Sequence, residues 1–311
     1  MNKRVYGVIG IKSIMSNWNA DFSGYPKTIS NGETFGSDKA LKYPMKRMWE
    51  DSGEKVLYIK SLRMEENKKE EIKVVPKSLK ERYEELFSVE DLKKEKDGTV
   101  VLRNLFSAID VKNFGATFAE AGNNISITGA VQIGQGFNKY NGTVAEVQQI
   151  LSPFRVDKKS KSEGEEKEEA GASTLGEAHY FYPFVINPNA YNNFVKMGVT
   201  EGYTEEDYKK FKEASLISTT AFNTNAKIGC ENEFAVFIET ELETYLPNLD
   251  QYISFEKTED KDIIRLEFIE LIESMEDNIL NMEIYYNPYK TKIEGELKNA
   301  KHFNIFTKEV L

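Results

Sequence analysis

Cysteine and histidine are nearly absent from this sequence. Cys230 is the one cysteine in 311 residues, so no internal disulfide can form and no zinc site can rest on paired thiolates. His179 and His302 are too few for a histidine-rich metal cluster, and the ordinary expectation for each is a packing or surface role. A carboxylate site for a hard cation stays open on composition alone. No apolar run reaches about 18 residues, so a membrane-spanning helix is not expected. The opening residues, Met1-Asn2-Lys3-Arg4-Val5-Tyr6, enter a strand-like pattern with no apolar leader and no small-residue cleavage site, and a cytoplasmic location is expected. Enzyme signatures are missing as well: there is no Gly-x-Ser-x-Gly elbow, no Walker phosphate loop and no His-Glu-x-x-His. Gly134-Gln135-Gly136 lacks the third glycine of a dinucleotide fingerprint, and no cofactor is expected.

What is present is a globular composition. Hydrophobic residues make up 40% and charged residues 30%, which suits a soluble chain with a real core. A net charge of −10 argues at first against nucleic acid, but the charge is uneven. Residues 1–48 carry eight basic and three acidic side chains, a net of +5, whereas residues 239–311 carry eight basic and 17 acidic, a net of −9. A binding surface needs local positive potential rather than a positive total, so a basic groove on an acidic body is permitted.

Residues 4–15 read as a buried strand, because β-branched and aromatic residues dominate. A polar loop follows over 16–36. Ser37 then reads as a helix N-cap with Asp38 in the first turn, and Pro44 is expected to kink or divide the helix that runs to Trp49. A strand is expected at 55–61. Residues 63–98 are highly charged, with helical signals at 77–96, and read as an inserted helical region. Strands are expected at about 125–137 and 144–151, joined through the turn pair Asn141-Gly142. Residues 157–172 hold no apolar periodicity and read as a mobile loop. A strand at 178–187, a helix at 204–220 opened by the capping-box pattern Thr204 to Asp207, and a strand near 233–243 complete the central part. The type of the apolar stretch 263–275 stays open. This order suits an α+β domain around an antiparallel sheet of the ferredoxin-like or RNA-recognition type.

Two sets of residues stand out. Lys12 and Ser13 interrupt the first strand, Asn17 and Asn19 lie just beyond it, and Ser37, Lys39, Lys42, Lys46 and Arg47 crowd the following helix. Three- and four-residue spacing puts positions 39, 42 and 46 near one face. Lysines beside a helix N-terminus suit phosphate oxygens, although an ordinary basic surface helix has the same appearance. The second set is Asp110-Val-Lys112-Asn-Phe114-Gly115, then Gly129-Ala-Val-Gln132-Ile-Gly134-Gln135-Gly136-Phe137-Asn138. Glycines in a strand let another backbone approach, Gln132 and Gln135 can hydrogen-bond without adding charge, and Phe114 or Phe137 could stack on a base or sit in the core.

These blocks carry a family resemblance. Ile11-Lys12-Ser13-Ile-Met-Ser-Asn17, Gly36-Ser37-Asp38-Lys39-Ala-Leu-Lys42, Asp110-Val-Lys112-Asn-Phe114-Gly115, Gly129-Ala-Val-Gln132-Ile-Gly134 and Ser173-Thr-Leu-Gly176-Glu177, with Tyr182 and Ile186-Asn-Pro188 beyond, follow one another up to about residue 240. In order and spacing they resemble the repeated backbone subunit of type I CRISPR surveillance complexes (Cascade), the Cas-seven family, and within it the type I-B branch. Trp18 stands where that branch tends to have proline, and Asn113 where an arginine or apolar residue is usual. The resemblance implies one palm-type domain over 1–311, a finger-like insertion at 63–98 and a thumb loop at 152–178. Copies would stack head to tail on one CRISPR guide RNA, with further Cascade subunits as partners and target DNA reached through the guide. It implies RNA-contacting roles for Lys12, Ser13, Asn17, Asn19, Ser37, Lys39, Lys42, Lys46, Arg47, Lys112, Phe114, Gln132, Gln135 and Asn138. It implies no catalysis, no metal and no cofactor. The alternative is a metal-dependent endoribonuclease like the type III relatives, with Asp21 and Asp38 as the nearest acids.

Overall fold

The protein is described by a computed structural model over residues 1–21, 24–66, 71–149 and 171–311. In chain order, β1 (Arg4–Ser16) and β2 (Phe35–Gly36) precede helix α1 (Asp38–Asp51). The ribbon β3 (Leu62–Glu66) and β4 (Ile72–Pro76) leads into α2 (Leu79–Phe87), α3 (Gly98–Ser107) and α4 (Ile109–Phe114). Short strands follow: β5 (Gly115–Phe118), β6 (Ile125–Thr128), β7 (Val131–Ile133), β8 (Gly136–Asn138) and β9 (Ala145–Gln149). Then come β10 (Gly171–Ile186), α5 (Asn192–Lys196), α6 (Glu205–Ala221) and β11 (Cys230–Thr240). The last part holds β12 (Ile253–Glu256), β13 (Asp262–Leu266), α7 (Ile269–Glu273), β14 (Ile279–Tyr286), β15 (Thr291–Glu294) and β16 (Lys301–Asn304).

β1 lies in the middle of the main sheet, antiparallel to β10 on one side and β11 on the other. The order β11-β1-β10-β8 is that of a ferredoxin-like domain, with α1 between its first two strands and α6 between its last two. The expected fold class is therefore the observed one. β1 reads as a continuous apolar run because both of its faces are buried. Val5, Ile9 and Ile11 pack with Leu41, Met45 and Trp49 of α1 and Phe211 of α6. Tyr6 and Val8 point the other way, with Phe181, Phe234 and Val236, against Ile253, Ile264 and Leu266 of the small sheet β12-β13-β15. The face that RNA-recognition sheets leave open for base stacking is thus filled by the chain's own C-terminal part.

Several local expectations are corrected. α1 runs unbroken through Pro44, which is itself buried; the packing of Leu41, Met45 and Trp49 holds the helix across the missing N–H. Residues 55–61 form no strand, because the N–H groups of Leu57 and Tyr58 bond to the Asp110 carboxylate instead of a neighbouring strand. The insertion at 63–98 contains the ribbon β3-β4 as well as helix, and one ribbon face leaves Leu62, Met64, Ile72 and Val74 exposed. The single strand expected at 125–137 is three, since β6 pairs with β5 while β7 and β8 pair with β10. Asn141-Gly142 is a turn but closes no hairpin, because β8 and β9 both pair with β10. β10 begins at Gly171, so residues 171–178 are strand; the rest of the expected thumb loop, 152–170, lies outside the described residues. The open stretch 263–275 holds the end of β13 and the short α7. The capping box at Thr204–Asp207 forms as its sequence indicates.

His179 ties three layers together. Its Nδ1 lies 2.9 Å from both Glu233 carboxylate oxygens on β11, and its Nε2 lies 3.1 Å from Glu177. Its ring stacks on Phe255 of β12 at 3.8 Å. Carboxylates at both nitrogens are satisfied together only by the imidazolium. Burial lowers the His179 pKa, but Glu233 and Glu177 outweigh it and hold it above the ordinary 6.5. A raised folded pKa stabilises fully below the unfolded value and is lost as pH rises through the folded one. Urea unfolding should therefore show stability falling as pH climbs from 6.5, and His179→Gln should flatten that fall.

Candidate nucleic-acid interface

Two opposed glycines set the entrance. Gly36 on β2 pairs with Gly136 on β8, and both lie flat on the buried Tyr182. A Cβ on Gly36 would stand 1.9 Å from the Tyr182 hydroxyl, and one on Gly136 2.4 Å from its ring. That hydroxyl accepts a hydrogen bond from Trp18 Nε1 at 2.5 Å. Trp18 is buried, so the polar loop after β1 is fixed both at Trp18 and at Gly36. Asn19 completes the frame: its Oδ1 accepts from the backbone N–H of Ser37 at 2.8 Å. Ser37 in turn caps α1, accepting from the N–H of Ala40 at 3.4 Å.

α1 therefore starts at a defined point and presents Lys42 and Lys46 to Phe114, with their ammonium groups 5.0 and 6.0 Å from its ring centre. A second glycine pair seats Phe114. Gly115 has φ +79°, and a Cβ on Gly129 would stand 2.2 Å from the Phe114 carbonyl carbon. The ring packs on Trp49 at 5.6 Å. Both ammonium groups already have carboxylates: Lys42 lies 2.9 Å from Asp38 and Lys46 3.6 Å from Asp110. Gln135 also bonds Asp38, and although burial pushes that carboxyl up, Lys42 and Gln135 hold it below its usual range. Burial pushes the Lys46 pKa down against the pull of Asp110. Asp110 is buried and accepts from the N–H groups of Leu57 and Tyr58, both at 2.8 Å. Burial, then Asp110 and Glu120, push the Tyr58 phenol up to about 12, so it stays a neutral donor, here to the Thr117 carbonyl.

Asn19, Ser37, Lys42, Lys46, Phe114 and Gln135 thus share one region, and the other expected residues lie apart. Lys39 is exposed and, among the described residues, has no ion pair. Arg47 pairs with Glu50 and Asp51, and because Lys42 and Lys46 are paired as well, 39, 42 and 46 do not make one free basic stripe. Lys12 pairs with Glu231 across β1 and β11 at 2.9 Å. Ser13 is fully buried, bonded to Ser16 and close to Cys230, which leaves it no surface to offer. The Lys112 side chain is directed at Glu201 and Asp207, 3.8 and 3.6 Å away, and the residue is 7% exposed. Asn138 spends its amide on Tyr140, Thr143 and the His179 N–H, organising a turn. Gln132 is exposed and donates to the Gly129 carbonyl at 2.8 Å. Asn17 donates its backbone N–H to Ala226 and accepts from Lys227. Trp18, Tyr58 and Lys227 escaped sequence reasoning. Trp18 had a signal, a large aromatic inside a polar loop; Tyr58 and Lys227 act through backbone contacts that spacing does not encode.

Among the described residues, Glu177, His179 and Asp262 bring ligand atoms within 4.8 Å of one another. The Lys257 ammonium already stands there, 2.7 Å from Glu177 and 3.3 Å from Asp262, and supplies the positive charge a metal would bring. No helix of the described residues is long and apolar enough to cross a membrane.

The profile of the CRISPR-associated protein Cas7 family matches residues 3–277. The chain belongs to that family. No curated protein matches the sequence. A solved chain from "CRISPR RNA-guided surveillance complex, pre-nicking" superposes with a TM-score of 0.53 at 15% identity, covering 97% of this chain and 96% of that one. Another, from "CRISPR RNA-guided surveillance complex", gives 0.46 at 14% identity over 92% and 91%. The first likeness establishes a shared fold, which for this Cas7-family chain is the palm-like α+β sheet described above.

Asp110 is the anchor of the region. Asp110→Ala should strand two buried N–H groups and the Lys46 ammonium, at a cost of about 3–5 kcal/mol. Denaturant unfolding measures that loss directly; a variant as stable as the parent would remove Asp110 from its anchoring role.

Proposed function

We propose that this Cas7-family chain is a guide-RNA-binding backbone subunit of a type I-B Cascade complex in antiviral defence. Copies stack head to tail on one guide RNA in the cytoplasm, beside other Cascade subunits, and hold the guide for pairing with target DNA. The observation that carries this reading is the family match over residues 3–277. The region around α1 supports it chemically. Cations, amides and hydroxyls collected at a helix start suit phosphate and ribose, and a guide that changes sequence from locus to locus must be held by its backbone. In this reading residues 1–311 form one palm-type unit, residues 63–98 are the finger-like insertion and 152–178 the thumb. In this reading the role is structural rather than catalytic, and Asp38, in the first turn of α1, is engaged by Lys42 and Gln135.

Two measurements test the proposal. Purification from cells expressing a CRISPR array should yield the chain in multiple copies on one RNA of defined length; an RNA-free monomer under those conditions would overturn it. Lys39→Ala with Lys42→Ala should weaken RNA binding about equally for unrelated guides and lower the salt dependence. Loss confined to one guide sequence would instead indicate base readout.

A further inference from the structure

The cations selected by the sequence are mostly neutralised: Lys12, Lys42, Lys46 and Arg47 each meet a carboxylate. Lys227, in the turn before β11, is different. Its ammonium donates to the Asn17 carbonyl at 2.5 Å and to the Trp18 carbonyl, and it lies 5.3 Å from the centre of the Trp18 ring. No carboxylate among the described residues pairs with it. Two of three N–H groups are spent on neutral carbonyls, so the charge is held beside the loop without being cancelled. Burial pushes its pKa down, as it does for a cation met by dipoles rather than an anion. The turn is fixed in place from both sides: Gly229 accepts from the Ile14 N–H, Ala226 from the Asn17 N–H, and Phe222 meets Tyr43 of α1 edge-on at 5.5 Å. Tyr43 follows Lys39 by one helical turn, and Lys39 also has no ion pair among the described residues.

We propose that Lys227 is a further RNA-contacting residue: it positions the Asn17–Trp18 backbone and gives its remaining N–H to a phosphate oxygen of the bound strand. This rests on the guide-RNA reading above and adds a site from the far side of the sequence. Lys227 and Lys39 are then two cations with no carboxylate partner among the described residues, whereas Lys42 and Lys46 over Phe114 are paired.

The test separates positioning from charge. The full chain is titrated with single-stranded RNAs of unrelated sequence between about 50 and about 200 mM salt. Lys227→Gln keeps two N–H donors for the carbonyls and removes the charge; affinity should fall roughly tenfold and the log–log salt slope should shrink by about 0.7, one phosphate's worth on a single strand. Lys227→Arg should keep the wild-type slope. A Gln variant with an unchanged slope, or a slope that shrinks equally in the Arg variant, overturns the phosphate contact and leaves a loop brace only. Amine acetylation of the wild-type chain gives a readout free of folding defects: RNA should slow acetylation at Lys227, and equal rates overturn the proposal. Wild-type chain that binds none of the RNAs overturns the guide-RNA reading as well, so the two failures are distinguishable.

Discussion

The buried Tyr182 hydroxyl, accepting from Trp18 beneath Gly36 and Gly136, is the constraint on which the candidate interface depends. A phenol inside an apolar layer needs a partner, and Trp18 supplies it from a loop that has no regular structure of its own. That single bond ties the loop to the middle of β10. With the loop fixed, Asn19 can meet the Ser37 N–H, Ser37 can cap α1, and the lysines of α1 acquire defined positions. The two glycines are required because any Cβ there would collide with the ring. Burial raises the Tyr182 pKa well above its ordinary value, so the oxygen that accepts from Trp18 belongs to a neutral phenol.

Electrostatics then shape what such a surface can bind. The chain carries a net charge of −10, and on α1 Lys42, Lys46 and Arg47 are matched by Asp38, Asp110, Glu50 and Asp51. Partly exposed pairs of this kind are worth about 0–1 kcal/mol each, so exchanging a carboxylate for a phosphate costs little. Under the guide-RNA proposal such a surface would attract stray polyanions weakly and would respond to a strand only when several phosphates arrive in register with several lysines. Lys46 is the exception, because Asp110 is buried and already holds two backbone N–H groups, and that ammonium stays where it is.

Local rules carried much of the fold into the sequence. The apolar run of β1, the cap at Ser37, the capping box at Thr204 and the close glycine contacts at 115 and 129 all follow from residue types and their immediate neighbours. What residue types and spacing did not show depended on direction or on distant partners. Lys112 and Phe114 are two residues apart on a short helix, so their side chains leave on opposite sides; Phe114 reaches the lysines and Lys112 reaches Glu201. Residues 55–61 have strand-like composition, but their amides are claimed by Asp110, about fifty positions away. The stretch at 125–137 is divided because its parts serve different sheets, a choice made by β5 and β10 rather than by the stretch itself.

The filled outer face of the sheet limits which surfaces of the fold are open. In a bare four-stranded sheet of this type, exposed aromatics on the face opposite the helices would stack on bases and favour some sequences over others. Here Tyr6, Phe181 and Phe234 on that face are buried against the C-terminal strands. What remains at the rim of the sheet is a helix start, several cations, side-chain amides and one ring already covered by two ammonium groups. Those groups suit phosphate and ribose, which are the same in every strand, as the guide-RNA proposal requires. The covering is made by apolar C-terminal residues, Ile253, Ile264 and Leu266 among them, so under the guide-RNA proposal the surface that would read bases is removed and the edge suited to backbone is left.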